Sequence, residues 1–80
     1  MKEYNQKETI DIFMNYGIYV DIENLDDEFM LDSLVFTQLL INLEEYYGII
    51  IPSDEINMEN FKSFMSVENL LCSLLSNYDI

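Results

Sequence analysis

Between residues 33 and 47 the apolar positions recur every three or four residues, the spacing of a helix that buries one side. At 3.6 residues per turn, Phe36, Leu39, Leu40, Leu43 and Tyr47 share an arc of about 100°, the width of a core-facing stripe. Leu34 and Ile41 fall roughly opposite that arc, with Gln38 and Glu45 between or beside them. Two aliphatic side chains are thus left on the solvent side, in line with Ser33. Asp32 is placed to cap the helix, because its carboxylate can accept bonds from the free amides of the first turn. Ser33 then takes the first helical position, at a helix end where partial positive charge welcomes a phosphate group. Gly48 supplies the left-handed residue that ends the helix.

The flanking segments read less sharply. Tyr4, Ile10, Phe13 and Met14 recur at helical spacing up to Gly17, which predicts a first helix over residues 3–16. Residues 18–22 alternate like a strand, but a lone strand has nothing to pair with. Residues 18–30 are therefore an extended connection packed by Ile18, Val20, Ile22 and Leu25, with Asp21, Glu23, Asp26, Asp27 and Glu28 solvated. Pro52 interrupts the run Ile49-Ile50-Ile51. Asn57 can cap a short third helix through Phe61. Ser66 can cap a last helix to about Ser76, with Met65 and Leu70 as a hydrophobic staple. Its core side would hold Val67, Leu70, Leu71, Leu74, Leu75 and Tyr78. The predicted architecture is all-α: a small four-helix bundle with a short third helix and a long first loop, one domain over residues 1–80.

Composition narrows the function. Half the residues are hydrophobic and 24% are charged, enough apolar mass for a core. Sixteen acids stand against three lysines and no arginine, a net charge of −13, with no base between Lys7 and Lys62. Such a chain does not neutralise nucleic-acid phosphate, nor does it suit an anionic membrane surface. Its partners should present lysine and arginine. Cys72 is the single cysteine, so no internal disulfide forms, and it lies off the last helix's stripe. Residues 1–10 are charged and polar with no apolar signal region, and no run approaches membrane-spanning length. A cytoplasmic monomer is the expectation.

Catalytic constellations are missing. Without histidine there is no Ser-His-Asp or Cys-His arrangement, and no zinc site of the His and Cys type. Gly17 and Gly48 alone do not build a phosphate loop. The acidic run from Asp21 fails as a calcium loop: its fifth and sixth positions are Leu25 and Asp26, and its twelfth is Asp32. Glu44-Glu45 and Asp26-Asp27 are solvated faces, not an acid–base couple. The chain reads as a non-enzyme.

Taken in order, Leu31-Asp32-Ser33-Leu34, residues 39–45, Tyr47-Gly48-Ile49, Ile51-Pro52 and Asp54-Glu55 resemble the core of an acyl carrier protein. Residues 59–63 and 67–75 are similar to that family's short third helix and its last helix. The resemblance covers roughly residues 29–75. It implies that Ser33, flanked by the motif residues Asp32 and Leu34, carries 4′-phosphopantetheine. It also implies a phosphopantetheinyl transferase, an acyl- or aminoacyl-loading enzyme and a downstream transferase or synthase as partners. Leu34, Gln38, Ile41, Glu44 and Glu45 are the expected docking face. Fatty-acid-type carriers place acids just after the motif leucine and one turn on, where this chain has Val35, Phe36 and Gln38. Freestanding aminoacyl and D-alanyl carriers, and carriers from specialised biosynthetic pathways, are similar in replacing them. The alternative is an unmodified acidic interaction module using the same helix face.

Overall fold

The computed structural model describes residues 3–78, with side chains described through Ser76. Three α-helices run in order: α1 (Gln6–Asn15), α2 (Ser33–Tyr47) and α3 (Phe64–Tyr78), with a 3₁₀ turn at Ser53–Glu55 between the last two. Their shared core is Phe13 from α1, Leu39, Leu43 and Tyr47 from α2, and Phe64, Val67 and Leu71 from α3. Rings lock the helices together: Phe13 meets Phe64 edge-on at 5.1 Å and Phe29 at 5.7 Å.

α1 begins three residues later than the predicted start, because Asn5 caps it by accepting the Glu8 amide at 2.9 Å. Tyr4 stands before the helix instead of in it. Its ring stacks on Tyr47 and its hydroxyl donates to Glu68 at 2.7 Å, tying the start of the chain to α3. The buried side of α1 is Thr9, Ile12 and Phe13, so the stripe is turned from the predicted one and leaves Met14 exposed. Thr9 hides that stripe in sequence, being polar yet fully buried. Its hydroxyl donates to the Asn5 carbonyl at 2.8 Å and meets the Tyr47 hydroxyl, so the burial leaves nothing unpaired. Gly17, at φ 78°, takes the left-handed turn out of the helix.

The long connection is held from both ends. Val20 is buried and Ile18 and Leu25 are partly so, but Ile22 faces solvent, contrary to expectation. The cause is an Asx turn: Asp21 accepts the Glu23 amide and the Asn24 carboxamide, which breaks the alternation. Further along, the Leu25 carbonyl takes the Met65 amide and the Phe29 amide donates to the Lys62 carbonyl, both at 2.9 Å. An isolated antiparallel bridge joins Glu28 to Ser63.

The predicted third helix does not form. Asn57 does act as a cap, accepting the Asn60 amide at 2.9 Å, but the residues after it make only a turn. Asn60 sends its carboxamide back to the Glu55 carbonyl and carboxylate, so local side-chain bonds take the place of a helical ladder. The last helix starts earlier than expected, at Phe64. Ser63, not Ser66, is its cap: the Ser63 hydroxyl accepts the Ser66 amide while the Ser66 hydroxyl accepts the Ser63 amide. Met65 therefore lies inside the helix and is half-exposed, and the Met65–Leu70 staple is not made. Val67, Leu70, Leu71, Leu74 and Leu75 are buried as predicted; the Tyr78 side chain lies outside those described. Among the described residues the fold is three α-helices and a 3₁₀ turn, all-helical, without the fourth helix.

Candidate functional site

The site sits where the long connection turns into α2. Asp32 has extended backbone (φ −77°, ψ 160°), and its Oδ1 accepts the Val35 amide at 2.9 Å. Its carbonyl takes the Phe36 amide. That leaves the amides of Ser33 and Leu34 without an acceptor among the described residues, as the geometry of a helix start requires. Ser33 is exposed at this mouth, with its carbonyl accepting the Thr37 hydroxyl at 2.8 Å. A phosphate ester on the Ser33 hydroxyl would lie against free amides and the positive end of a 15-residue helix. The residues present fit a phosphopantetheinyl group on that ground. The Asp32 carboxylate is committed to its cap, and among the described residues Ser33 has no bonded base. A reaction at the Ser33 hydroxyl would therefore need a general base from outside the described residues.

Beside this mouth runs a largely apolar groove of about 640 Å³, lined by Phe29, Met30 and Leu31 and by Ile56, Met58 and Phe61, with Glu28, Asn57 and Lys62 among them. Phe36, one turn into α2, forms part of it and meets Phe61 edge-on at 5.1 Å. Met30 and Met58 are 97% and 88% exposed, flexible apolar side chains standing in water. Nothing in the hydrophobic periodicity marks this groove, because its walls are loop segments. Two exposed methionines outside any helix were the available signal.

The expected docking residues are partly brought together. Leu34 and Ile41 are 67% and 50% exposed, and Gln38 and Glu45 are exposed between them, as the angular reading requires. Glu44 is set apart from them. It is partly buried, and its Oε2 accepts the Ile51 amide at 2.7 Å, which pins the segment after the helix to its last turn. Two residues absent from the sequence reading join the face: Tyr16, where α1 ends, and Asn42, whose carboxamide donates to the Tyr16 hydroxyl at 2.9 Å. From Ser33 to Leu43 α2 carries no charged residue.

Elsewhere the chemistry is quiet. Burial, and then the Glu68 carboxylate, push the Cys72 thiol above its ordinary range, the reverse of what a nucleophile needs. Hydrogen bonds from Asn24 and then Glu23 hold the Asp21 carboxyl below its ordinary range. No cluster of three or more metal-ligating side chains occurs among the described residues, and no helix there is long and apolar enough to cross a membrane.

The profile of the phosphopantetheine attachment site family matches residues 20–71, a span that holds α2, the whole groove and most of α3. No curated protein and no solved structure matches the chain. The carriers of that family hold 4′-phosphopantetheine as their prosthetic group and serve the chemistry of other enzymes. On the matched span, which covers more than half of its length, the chain belongs to the phosphopantetheine attachment site family.

Proposed function

We propose that the chain is a single carrier domain with Ser33 as its attachment residue. It holds acyl or aminoacyl intermediates as thioesters and presents them to partner biosynthetic enzymes. The observation that carries this is the mouth of α2: an exposed serine hydroxyl at a capped helix start, with free amides beside it and the groove alongside, inside the matched span. When bound, the group supplies a terminal thiol at the end of a flexible arm, which this chain's own chemistry cannot replace.

The chain's residues act as substrate and platform. In the attachment step the Ser33 oxygen forms the new bond to phosphorus and gives up its proton to the transferase, while the nucleotide half of coenzyme A departs. Asp32 holds the helix start in place, and Leu34 with Ile41 gives the enzyme an apolar foothold. The mostly apolar lining of the groove supports an acyl chain in the cargo, and Glu28 in the same lining would serve the ammonium of an aminoacyl one.

The test is intact mass after incubation with a phosphopantetheinyl transferase and coenzyme A. Wild type should gain one phosphopantetheinyl group, and Ser33→Ala, equally folded by circular dichroism, should gain none. Mass gain in that variant would overturn the assignment. A wild type that stays unmodified would leave the unmodified interaction module as the better reading.

A further inference from the structure

Four methionines lie among the described residues, and they divide by environment. Met14 and Met65 sit in helices, 46% and 41% exposed. Met30 and Met58 sit outside any helix, at 97% and 88%, and both line the groove beside Ser33. A thioether reacts with peroxide through its sulfur lone pair, so access to solvent decides which sulfur is oxidised first. Side chains this exposed contribute almost no packing to the fold, yet they belong to a lining whose other members include Phe29, Phe36 and Phe61. Cys72 also faces solvent, but its thiol is held above the ordinary range, away from the thiolate that peroxide attacks.

We propose that Met30 and Met58 are oxidation sites for hydrogen peroxide, and that their sulfoxides close the groove to an apolar occupant while leaving the fold intact. The sulfur gives its lone pair to one peroxide oxygen; the S–O bond forms, the O–O bond breaks, and water leaves. Sulfur loses two electrons and the peroxide takes them. A flexible apolar side chain thereby becomes a polar one with a strong acceptor oxygen. In the free chain that oxygen stays in water, so folding is unaffected. An apolar molecule lying in the groove covers it, and a covered sulfoxide without a donor opposes binding. The two side-chain donors in the lining already have partners: the Lys62 ammonium holds Glu59 at 3.2 Å, and the Asn57 carboxamide donates to the Asp54 carbonyl at 3.1 Å. That the excluded occupant is acyl cargo rests on the carrier reading, since an arm on Ser33 is what brings an acyl chain to the groove. The oxidation and its effect on the groove do not depend on that reading.

The test uses the full chain with nothing attached. Wild type and the double variant Met30→Leu/Met58→Leu are treated with graded hydrogen peroxide. Peptide mass mapping locates each sulfoxide, thermal melts follow the fold, and the fluorescence of Nile red, a neutral apolar dye, reports the groove. Met30 and Met58 should oxidise about twofold or more ahead of Met14 and Met65, in line with their exposure. At that stage wild type should bind the dye roughly three- to thirtyfold more weakly, with its melting temperature unchanged. Methionine sulfoxide reductases for both sulfoxide epimers, with dithiothreitol as electron donor, should restore binding. The leucine variant should bind the dye equally before and after peroxide. It keeps Met14, Met65 and Cys72, so a loss of binding there would trace to them and overturn the proposal. Oxidised wild type that binds the dye undiminished would overturn it too, as would oxidation that begins at Met14 or Met65, or untreated protein that leaves the dye dark. A chain that never gains a phosphopantetheinyl group still answers each of these measurements, so failure here and failure of the attachment reading are told apart.

Discussion

Leu34 comes directly after Ser33, the proposed attachment residue, and is 67% exposed, whereas Leu39, five residues on, has no exposed surface. Truncating the two should separate docking from folding. Full burial of a leucine side chain contributes about 1.5–3 kcal/mol. About a third of that, roughly 0.5–1 kcal/mol, is already realised by Leu34 in the free carrier. Alanine's better helix propensity returns a few tenths of a kcal/mol. Leu34→Ala should therefore lower the melting temperature by only about 2–4 °C, at the 4–8 °C per kcal/mol expected for a domain of this size. Leu39→Ala opens a cavity and should cost about 2–5 kcal/mol, enough to lower the midpoint by about 10 °C or more. The remaining two-thirds of the Leu34 surface, worth about 1–2 kcal/mol, is available to a partner that covers it. Its loss should reduce kcat/KM for modification roughly 5- to 30-fold. Thermal melts and intact-mass kinetics on the same three proteins are the assay. A Leu34→Ala protein that melts near Leu39→Ala, or that is modified at the wild-type rate, would refute this reasoning.

Two further outcomes rest on single contacts. Glu44→Ala leaves the buried Ile51 amide unpaired and should cost about 1–3 kcal/mol, while Glu45→Ala should leave stability almost unchanged; denaturant midpoints for the pair would expose the error if they coincided. Burial, and then the hydrogen bond to Glu68, raises the Tyr4 phenol above its ordinary value of 10.0, so the fold favours the neutral ring. Its contribution is therefore intact below about pH 10 and falls as pH climbs from there toward the folded value, because the unfolded chain releases its proton first. Tyr4→Phe should show a shallower alkaline loss of melting temperature than wild type, and parallel curves would remove Tyr4 from that account.

The parts of the fold that were legible in the sequence are those set by one helix's own period. α2 agrees with its predicted ends at both residues, since Asp32 and Gly48 are local signals and the stripe between them is unbroken. The segments that sequence misplaced are those in which a polar side chain outbids the hydrophobic pattern. Thr9 is buried because Asn5 and Tyr47 satisfy its hydroxyl, and Tyr47 is 38 residues away. The third helix yields to Asn60, whose two bonds to Glu55 are worth more locally than one turn of ladder. Ser66 reads as the cap, but its reciprocal bonds with Ser63 make Ser63 the residue that starts α3.

The candidate site divides along the same line. Ser33, Leu34 and Ile41 are placed by the helical angle alone, whereas the groove requires residues 29–31 and 56–61 to meet, a contact created by the Phe29–Lys62 backbone bond. Adjacent glutamates show the limit most plainly. Glu44 and Glu45 are identical in composition, charge and helix, yet about 100° of rotation turns the first toward Ile51 and leaves the second to solvent. An acid count therefore overstates how much of this chain's charge a partner can read at close range. Long-range attraction belongs to the whole net charge, but contact specificity belongs to the few groups that the fold has left unspent. In α2 these are the Ser33 hydroxyl, two aliphatic side chains, the Gln38 carboxamide and a single carboxylate.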